Sequence, residues 1–271
     1  DDVFISKLDP SGNYLWAKSF GGTGRDSGLH VATDLSGNIC VTGIFTGTVD
    51  FDPGDQVANL TFFADLDVFI SKFDSSGNYR WAKSVGDTAQ DVGQGISFDS
   101  SGNIYSFGRF NKSVDFNPGG QGGLLTADGN NTDMFISKFD PAGTFLWAKR
   151  IGGTGADSAA FNAFDSDGNI VVAGYFNGTV DFDPGERVET LTAIVSSEMF
   201  IAKFAPTGNY LWAKRIGGTG ADRGLNIAVD SSGNIYSTGK FTGTVDFNPG
   251  GQAGVLTSDS SSEDVFISKY N

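Results

Sequence analysis

Residues 2–18 read DVFISKLDPSGNYLWAK, and this stretch decides the fold because the chain keeps returning to it. The block Asp2-Val-Phe-Ile-Ser-Lys7 recurs at 67–72, 133–138, 198–203 and 264–269. The block Tyr-x-Trp-Ala-Lys recurs around Trp16, Trp81, Trp147 and Trp212, with Phe145 in place of Tyr in the third copy. Outward from these, a third segment ends in Asp34, Asp99, Asp165 and Asp230, each followed three residues later by Gly-Asn. A fourth closes on Gly-x-Phe at Phe45, Phe110, Phe176 and Phe241. Self-similarity at a fixed period marks a repeat architecture. The repeats run roughly 2–66, 67–132, 133–197 and 198–263, with an extra strand at 264–271, in a single domain spanning 1–271.

Each unit offers four strand candidates, exemplified by Leu29–Thr33, Ile39–Phe45, Val68–Phe73 and Tyr79–Ser84. The joints between them have hairpin chemistry. In Asp9-Pro-Ser-Gly-Asn13, Asp34-Leu-Ser-Gly-Asn38 and Asp74-Ser-Ser-Gly-Asn78, Asp bonds the backbone two residues on and Gly takes the positive-φ position. No segment sustains a 3.6-residue period, so little helix is expected. Val3-Phe4-Ile5, repeated as Val68-Phe69-Ile70 and Met134-Phe135-Ile136, sets three apolar residues side by side. Strict alternation would leave one wet face, whereas this pattern asks for apolar contact on both. A sheet covered on both faces by copies of itself is a propeller blade, and stacking stabilises units that are marginal alone. The expected fold is all-β: a β-propeller of four ~65-residue, four-stranded antiparallel blades with an extra C-terminal strand. Leu29, Val31, Phe69, Trp81, Phe135 and Trp147 are expected in the core.

Gly-Gly-Thr-Gly-x-Asp, then Ile-Ala-Val-Asp-Ser-Ser-Gly-Asn-Ile-Tyr (227–236), then Asp-Val-Phe-Ile-Ser-Lys together resemble the bacterial SBBP β-propeller repeat family. The similarity to NHL repeats is more distant. The resemblance implies that the Leu29-type strand is innermost and the Trp-bearing strand outermost, and it carries no particular activity with it.

The copies also differ in a regular way. Spacings between the Phe-Ile-Ser-Lys blocks run 65, 66, 65 and 66. The following loop alternates as well: Phe51-Asp-Pro-Gly-Asp55 and Phe182-Asp-Pro-Gly-Glu186 form one class, Phe116-Asn-Pro-Gly-Gly120 and Phe247-Asn-Pro-Gly-Gly251 the other. The translational unit is therefore 131 residues (65 + 66), which points to duplication of a two-blade ancestor. Three strand types occur four times but Phe-Ile-Ser-Lys occurs five times. The surplus copy is expected to cap an edge or to bridge to another chain or a further repeat. Strand-like sequence from residue 2, without an initiator Met or signal segment, reads as a mature or excised piece of something longer.

Composition narrows the function. With 39 Gly and 24 Phe the chain suits short strands, tight turns and aromatic filling. A formal charge of −14 repels phosphate backbones and anionic lipid, so neither nucleic acid nor a membrane is the expected partner. No run approaches the ~20 apolar residues of a membrane span. Cys40 is the lone cysteine and reads as a buried strand thiol. His30 is the lone histidine, with Gly95, Phe161 and Asn226 at its counterparts, so it builds neither a nucleophile–base pair nor a metal cluster. Gly21-Gly-Thr-Gly24 lacks the strand–turn–helix setting of a dinucleotide site and reads as a connector; the second copy, Val85-Gly-Asp-Thr-Ala-Gln90, departs from it.

Four candidate chemistries remain. Asp26, Asp91, Asp157 and Asp222 follow the connector in every copy and either bond turn amides or face a cation on one rim. The Val-Asp-Phe-Asx-Pro-Gly loop puts oxygen donors at alternating positions: Asp50, Asp52 and Asp55; Asp115 and Asn117; Asp181, Asp183 and Glu186; Asp246 and Asn248. Hard cations take six to eight oxygens, so Ca²⁺ is the candidate cofactor, against an ordinary Asx-Pro-Gly turn. Five Lys of Phe-Ile-Ser/Ala-Lys and four of Trp-Ala-Lys suggest a repeated pairing with acidic neighbours. The four Trp read as packing rather than sugar platforms. The expected function is a non-enzymatic, extracellular or cell-surface module serving as a structural, adhesive or interaction scaffold. Its expected partners are copies of itself or further repeats of a longer parent. The alternative is a Ca²⁺-dependent lectin or polysaccharide-active domain with glycan partners.

Overall fold

The computed structural model describes residues 1–271 apart from positions 64, 130, 250, 252, 253, 260 and 261. Among the described residues the regular structure is β throughout, without helix. The chain divides into two compact units. One holds 1–106, 110–125 and 137–147, the other 107–109, 126–136 and 148–271.

In the first unit, Ser27–Thr33 pairs with Ile39–Phe45, which pairs with Asp67–Phe73, which pairs with Tyr79–Val85, all antiparallel. The inner pairing registers Gly43 against Phe69 and Ile39 against Phe73. The second unit repeats this order with Ser158–Phe164, Ile170–Phe176, Glu198–Phe204 and Tyr210–Gly218. The Leu29-type and Trp-bearing strands are the two ends of these four. Each of these two four-strand sets takes its first two strands from the end of one repeat and its last two from the start of the next. The blade is therefore half a repeat out of phase with the motif that announces it.

The middle strands are buried on both faces. Val68, Phe69 and Ile70 are at most 1% exposed, and Met199, Phe200 and Ile201 at most 2%. This is the reason for three adjacent apolar residues where a one-sided sheet would alternate. Tight aromatic contacts fill the layers, with Phe51 and Phe69 centroids 5.2 Å apart in one unit and Phe182 and Phe200 5.0 Å apart in the other.

The structure departs from the sequence expectation in three respects. First, each repeat carries two further short strands, such as Thr48–Asp50 with Asn59–Thr61 and Thr179–Asp181 with Thr190–Thr192. In three repeats they continue the sheet from the glycines at the end of the Trp-bearing strand, as with Gly21 opposite Asp50 and Gly22 opposite Val49, whereas Ser113–Asp115 and Leu124–Thr126 form a two-stranded sheet of their own. Three residues between turn residues are too short to show a period. Second, not every blade is a whole four-stranded one. Among the described residues Val3–Leu8 pairs only with Tyr14–Gly22, and Arg223–Val229, Ile235–Phe241 and Asp264–Tyr270 make a three-stranded sheet. Third, Leu29 and Val31 are 45% and 54% exposed rather than buried. Ser27–Thr33 ends its sheet, and its pleat turns His30 toward Val92–Phe98 and Leu29 and Val31 away from it. Phe69 and Phe135 are buried as expected, whereas Trp81 and Trp147 are half-buried.

Candidate functional site

The Val-Asp-Phe-Asx-Pro-Gly loops owe their recurrence to packing. Val49 and Phe51 are fully buried, as are Val180 and Phe182, and the aspartate between each pair lies on the opposite face of the strand. Asp50 Oδ1 accepts the amides of Asp52 and Ala58 at 3.1 and 2.8 Å, and Asp52 Oδ1 accepts Gly54 N–H at 2.8 Å. Asp181 and Asp183 do the same for Asp183, Glu189 and Gly185. In the other class Asp115 accepts Asn117 N–H, Asn117 Nδ2 donates to Gln121 O, and Asp246 accepts Asn248 N–H. Position 250 of the fourth loop lies outside the described residues. Asp55 and Glu186 are exposed at the loop tips. Among the described residues no three His, Cys, Asp or Glu side chains converge as a metal ion would require. The loop carboxylates act as caps on tight turns.

The hairpin aspartates and the strand lysines form a second recurring set. Asp34 Oδ1 accepts the amides of Ser36 and Asn38, and Asn38 Nδ2 donates to Oδ2. Burial pushes the Asp34 carboxyl up, and these bonds outweigh it and hold it below the ordinary value. Asp74, Asp99, Asp140 and Asp165 follow the same balance. Lys138 Nζ lies 3.3 Å from Asp99 Oδ2, and Lys203 Nζ 2.6 Å from Asp165 Oδ2. Lys7 Nζ donates to Ser75 O at 2.9 Å and Lys72 Nζ to Pro141 O at 2.8 Å, so the lysine of one sheet holds the hairpin of the next. The half-buried Trp side chains serve the same contact. A Cβ on Gly77 would lie 3.2 Å from the Trp16 ring, and one on Gly143 2.9 Å from Trp81.

The connector acids are structural too. Asp26 accepts Gly22 and Thr46 amides, Asp91 those of Asp87 and Asn111, and Asp222 those of Gly218 and Thr242. Each joins its own connector to a strand end about twenty residues on. All are at most 1% exposed, and burial pushes Asp91 up to about 7, Asp157 to about 8 and Asp222 to about 6. His30 Nδ1 sits 3.0 Å from Ile96 O and 3.2 Å from Ile96 N, and burial pushes its pKa down, so a neutral ring bonds one strand to the next. Cys40 is buried and its thiol is pushed up by burial, which makes it inert. Sequence reasoning passed over the acids that head the Phe-Ile-Ser-Lys strands. Asp67, Asp133 and Glu198 are fully buried, the last two ion-paired to Arg150 and Arg215. The available signal was the exchange of Ser19 and Ser84 for Arg150 and Arg215 at one position of the repeat.

Among the described residues, apolar strand edges lie open in both units. In the first unit Phe4 is 74% exposed, while its counterpart Phe69 is 0% exposed. A recess of about 400 Å³ beside it is lined by Phe4, Leu29, His30, Val31 and Val41. In the second unit Phe266 is buried but Val265 and Ile267 are 77% and 81% exposed, beside a recess of about 590 Å³ that includes Phe247, Leu256 and Tyr270.

Comparison with known proteins places the repeat. The chain is 27% identical over 323 aligned residues, covering 99% of it, to an uncharacterised WD repeat-containing protein of Acanthamoeba polyphaga mimivirus. It is 30% identical over 151 residues, 52% of its length, to the regulatory protein FlaEY of Caulobacter vibrioides. The chain spans 23% and 16% of the lengths of these two curated relatives. A protein of unknown function from Bacteroides caccae is a structural neighbour, at 12% identity and a TM-score of 0.45, with 99% of this chain and 69% of that one covered. The family model for the SBBP β-propeller repeat matches residues 211–243, from the Trp-bearing strand through Gly-x-Phe.

Proposed function

We propose that this chain is a non-catalytic β-propeller repeat module, a protein-interaction and structural scaffold of the cell surface or exterior. Its partners on this reading are other copies of itself or further repeats of a longer parent, joined by strand addition. The observation that carries the reading is the use made of the recurring polar side chains. The hairpin aspartates, the connector acids and Lys7, Lys72, Lys138 and Lys203 are bonded within the repeat framework, while apolar strand edges are among the exposed surfaces. An edge strand presents unpaired N–H and C=O groups that pair readily with another chain. The WD repeat-containing relative supports a scaffold role, and the charge of −14 disfavours nucleic acid and anionic lipid.

The test is deletion of residues 264–271, followed by solution mass and negative-stain imaging. Loss of higher assemblies with the remaining sheets intact is the expected result. A monomer both before and after deletion counts against strand addition. A glycan array read with and without calcium separates the lectin alternative, which calcium-dependent glycan binding would establish.

A further inference from the structure

Three buried acid pairs occupy equivalent places, where a strand head meets the connector that follows its Trp-bearing strand. In each the connector aspartate donates its backbone N–H to the carbonyl just before the strand-head acid: Asp91 to Leu66, Asp157 to Thr132 and Asp222 to Ser197, at 2.9, 2.8 and 2.8 Å. In each a glycine makes room. A Cβ on Gly86 would lie 2.4 Å from Asp67 Cγ, one on Gly152 2.2 Å from Asp133 Cγ, and one on Gly217 2.7 Å from Glu198 Cδ.

The pairs differ in their counter-charge. In the second unit Arg150 is bonded to Asp133, and Arg215 Nη1 is 2.7 Å from Glu198 Oε2. In the first unit the arginine position is Ser84, whose hydroxyl is 3.4 Å from Asp67 Oδ2. There, too, Asp87 stands where the other connectors have Gly22, Gly153 and Gly218, adding a third carboxylate. Among the described residues no ion pair reaches Asp67, Asp87 or Asp91. Of the nearby polar groups, Lys112 Nζ donates to Thr88 Oγ1 and Asp65 accepts Gln90 Nε2. Asp67 and Asp91 are 0% exposed, and Asp67 Oδ1 has no hydrogen-bond partner.

Two carboxylates cannot both be ionised beside a third charge in a dry, cation-free setting without a large penalty. We propose that the Asp67–Asp87–Asp91 junction is a proton-binding site that holds its connector to the sheet while protonated and loosens it when the proton leaves. The junction is thereby a pH-sensitive joint, whatever the module binds. Burial, with like charge from Asp87, pushes Asp67 to about 6 and Asp91 to about 7, which places release across neutrality. The two titrate as a pair, in steps that belong to neither residue alone.

Carboxyl carbon-13 NMR on the intact chain tests this directly. The signals of Asp67 and Asp91, assigned by their loss in Asp67→Asn and Asp91→Asn, are expected to titrate with midpoints near 6 and 7, beside those of Asp157 and Asp222, which burial also raises. Ser84→Arg supplies the counter-charge that Asp133 and Glu198 have and is expected to lower the Asp67 midpoint by roughly one pH unit, while Asp87→Gly removes the like charge and is expected to lower both the Asp67 and the Asp91 midpoints. The double variant should also flatten the fall in Tm as pH rises from mildly acidic to mildly alkaline. Wild-type midpoints that all lie in the ordinary carboxylate range overturn the proposal. So do Asp67 and Asp91 midpoints that are unchanged in the double variant.

Discussion

A buried phenyl ring and the acid at the next position have opposite duties in this repeat. Phe51 is fully buried against Phe20, Phe45 and Phe69, whereas Asp52 caps a turn at the surface. Phe51→Ala is expected to cost about 3–5 kcal/mol, measured by urea unfolding, because it empties a packed site. Asp52→Ala removes one turn hydrogen bond and is expected to cost about 1 kcal/mol. Paired with Asp183→Ala, it should leave a Tm that is the same in calcium and in chelator. A chelator-induced fall that the double variant abolishes would assign a cation to these loops instead. The sequence displayed the motif clearly but not its cause. Apolar and acidic residues alternate in Val-Asp-Phe, and only burial shows that the apolar positions are the ones packing requires.

At the scale of elements, sheets are fastened to one another by hairpin tips. Gly143 has φ of +85° and lies against the Trp81 indole, whose Nε1 is 3.4 Å from Pro141 O, the carbonyl that also accepts Lys72 Nζ. Gly143→Ala meets two penalties, a left-handed backbone that disfavours a side chain and a Cβ 2.9 Å from the ring. A loss of about 1–3 kcal/mol is expected in denaturant unfolding. Gly233→Ala is its control, with φ of +83° but nothing near the added carbon. It carries the backbone penalty alone, so equal losses at the two positions would show that the Trp81 contact contributes little. The hairpins themselves were legible, because Asp-x-x-Gly-Asn specifies its own turn. Their docking on the next sheet's Trp was not, since the contact joins residues some sixty positions apart.

Over the whole molecule the acids fall into two sets with opposite pH dependence. The hairpin aspartates have lowered pKa values, so their contribution is present above the unfolded value near 3.8 and lost as pH falls through the lower folded values. Asp91, Asp157 and Asp222 have raised values, so their contribution is full below 3.8 and lost as pH rises through about 6 to 8. Stability should therefore peak on the mildly acidic side of neutrality. Calorimetric Tm measured across that range checks it, and a Tm that climbs steadily from pH 4 to pH 8 would contradict it.

Local chemistry determined what was legible from the start. A period of 65 and 66 residues, turn residues at fixed offsets and doubly apolar strands specify antiparallel sheets stacked on copies of themselves. Those signals live within a few residues of one another, where backbone preference and pattern suffice. Tertiary structure decided what depends on distant neighbours. It set the half-repeat offset of the blades, the exposure of Leu29 and Val31, the short added strands, and the difference between Ser84 and Arg150 as companions of a buried acid. Burial and counter-charge are properties of what packs against a residue, and in a repeat protein that neighbour comes from the next copy.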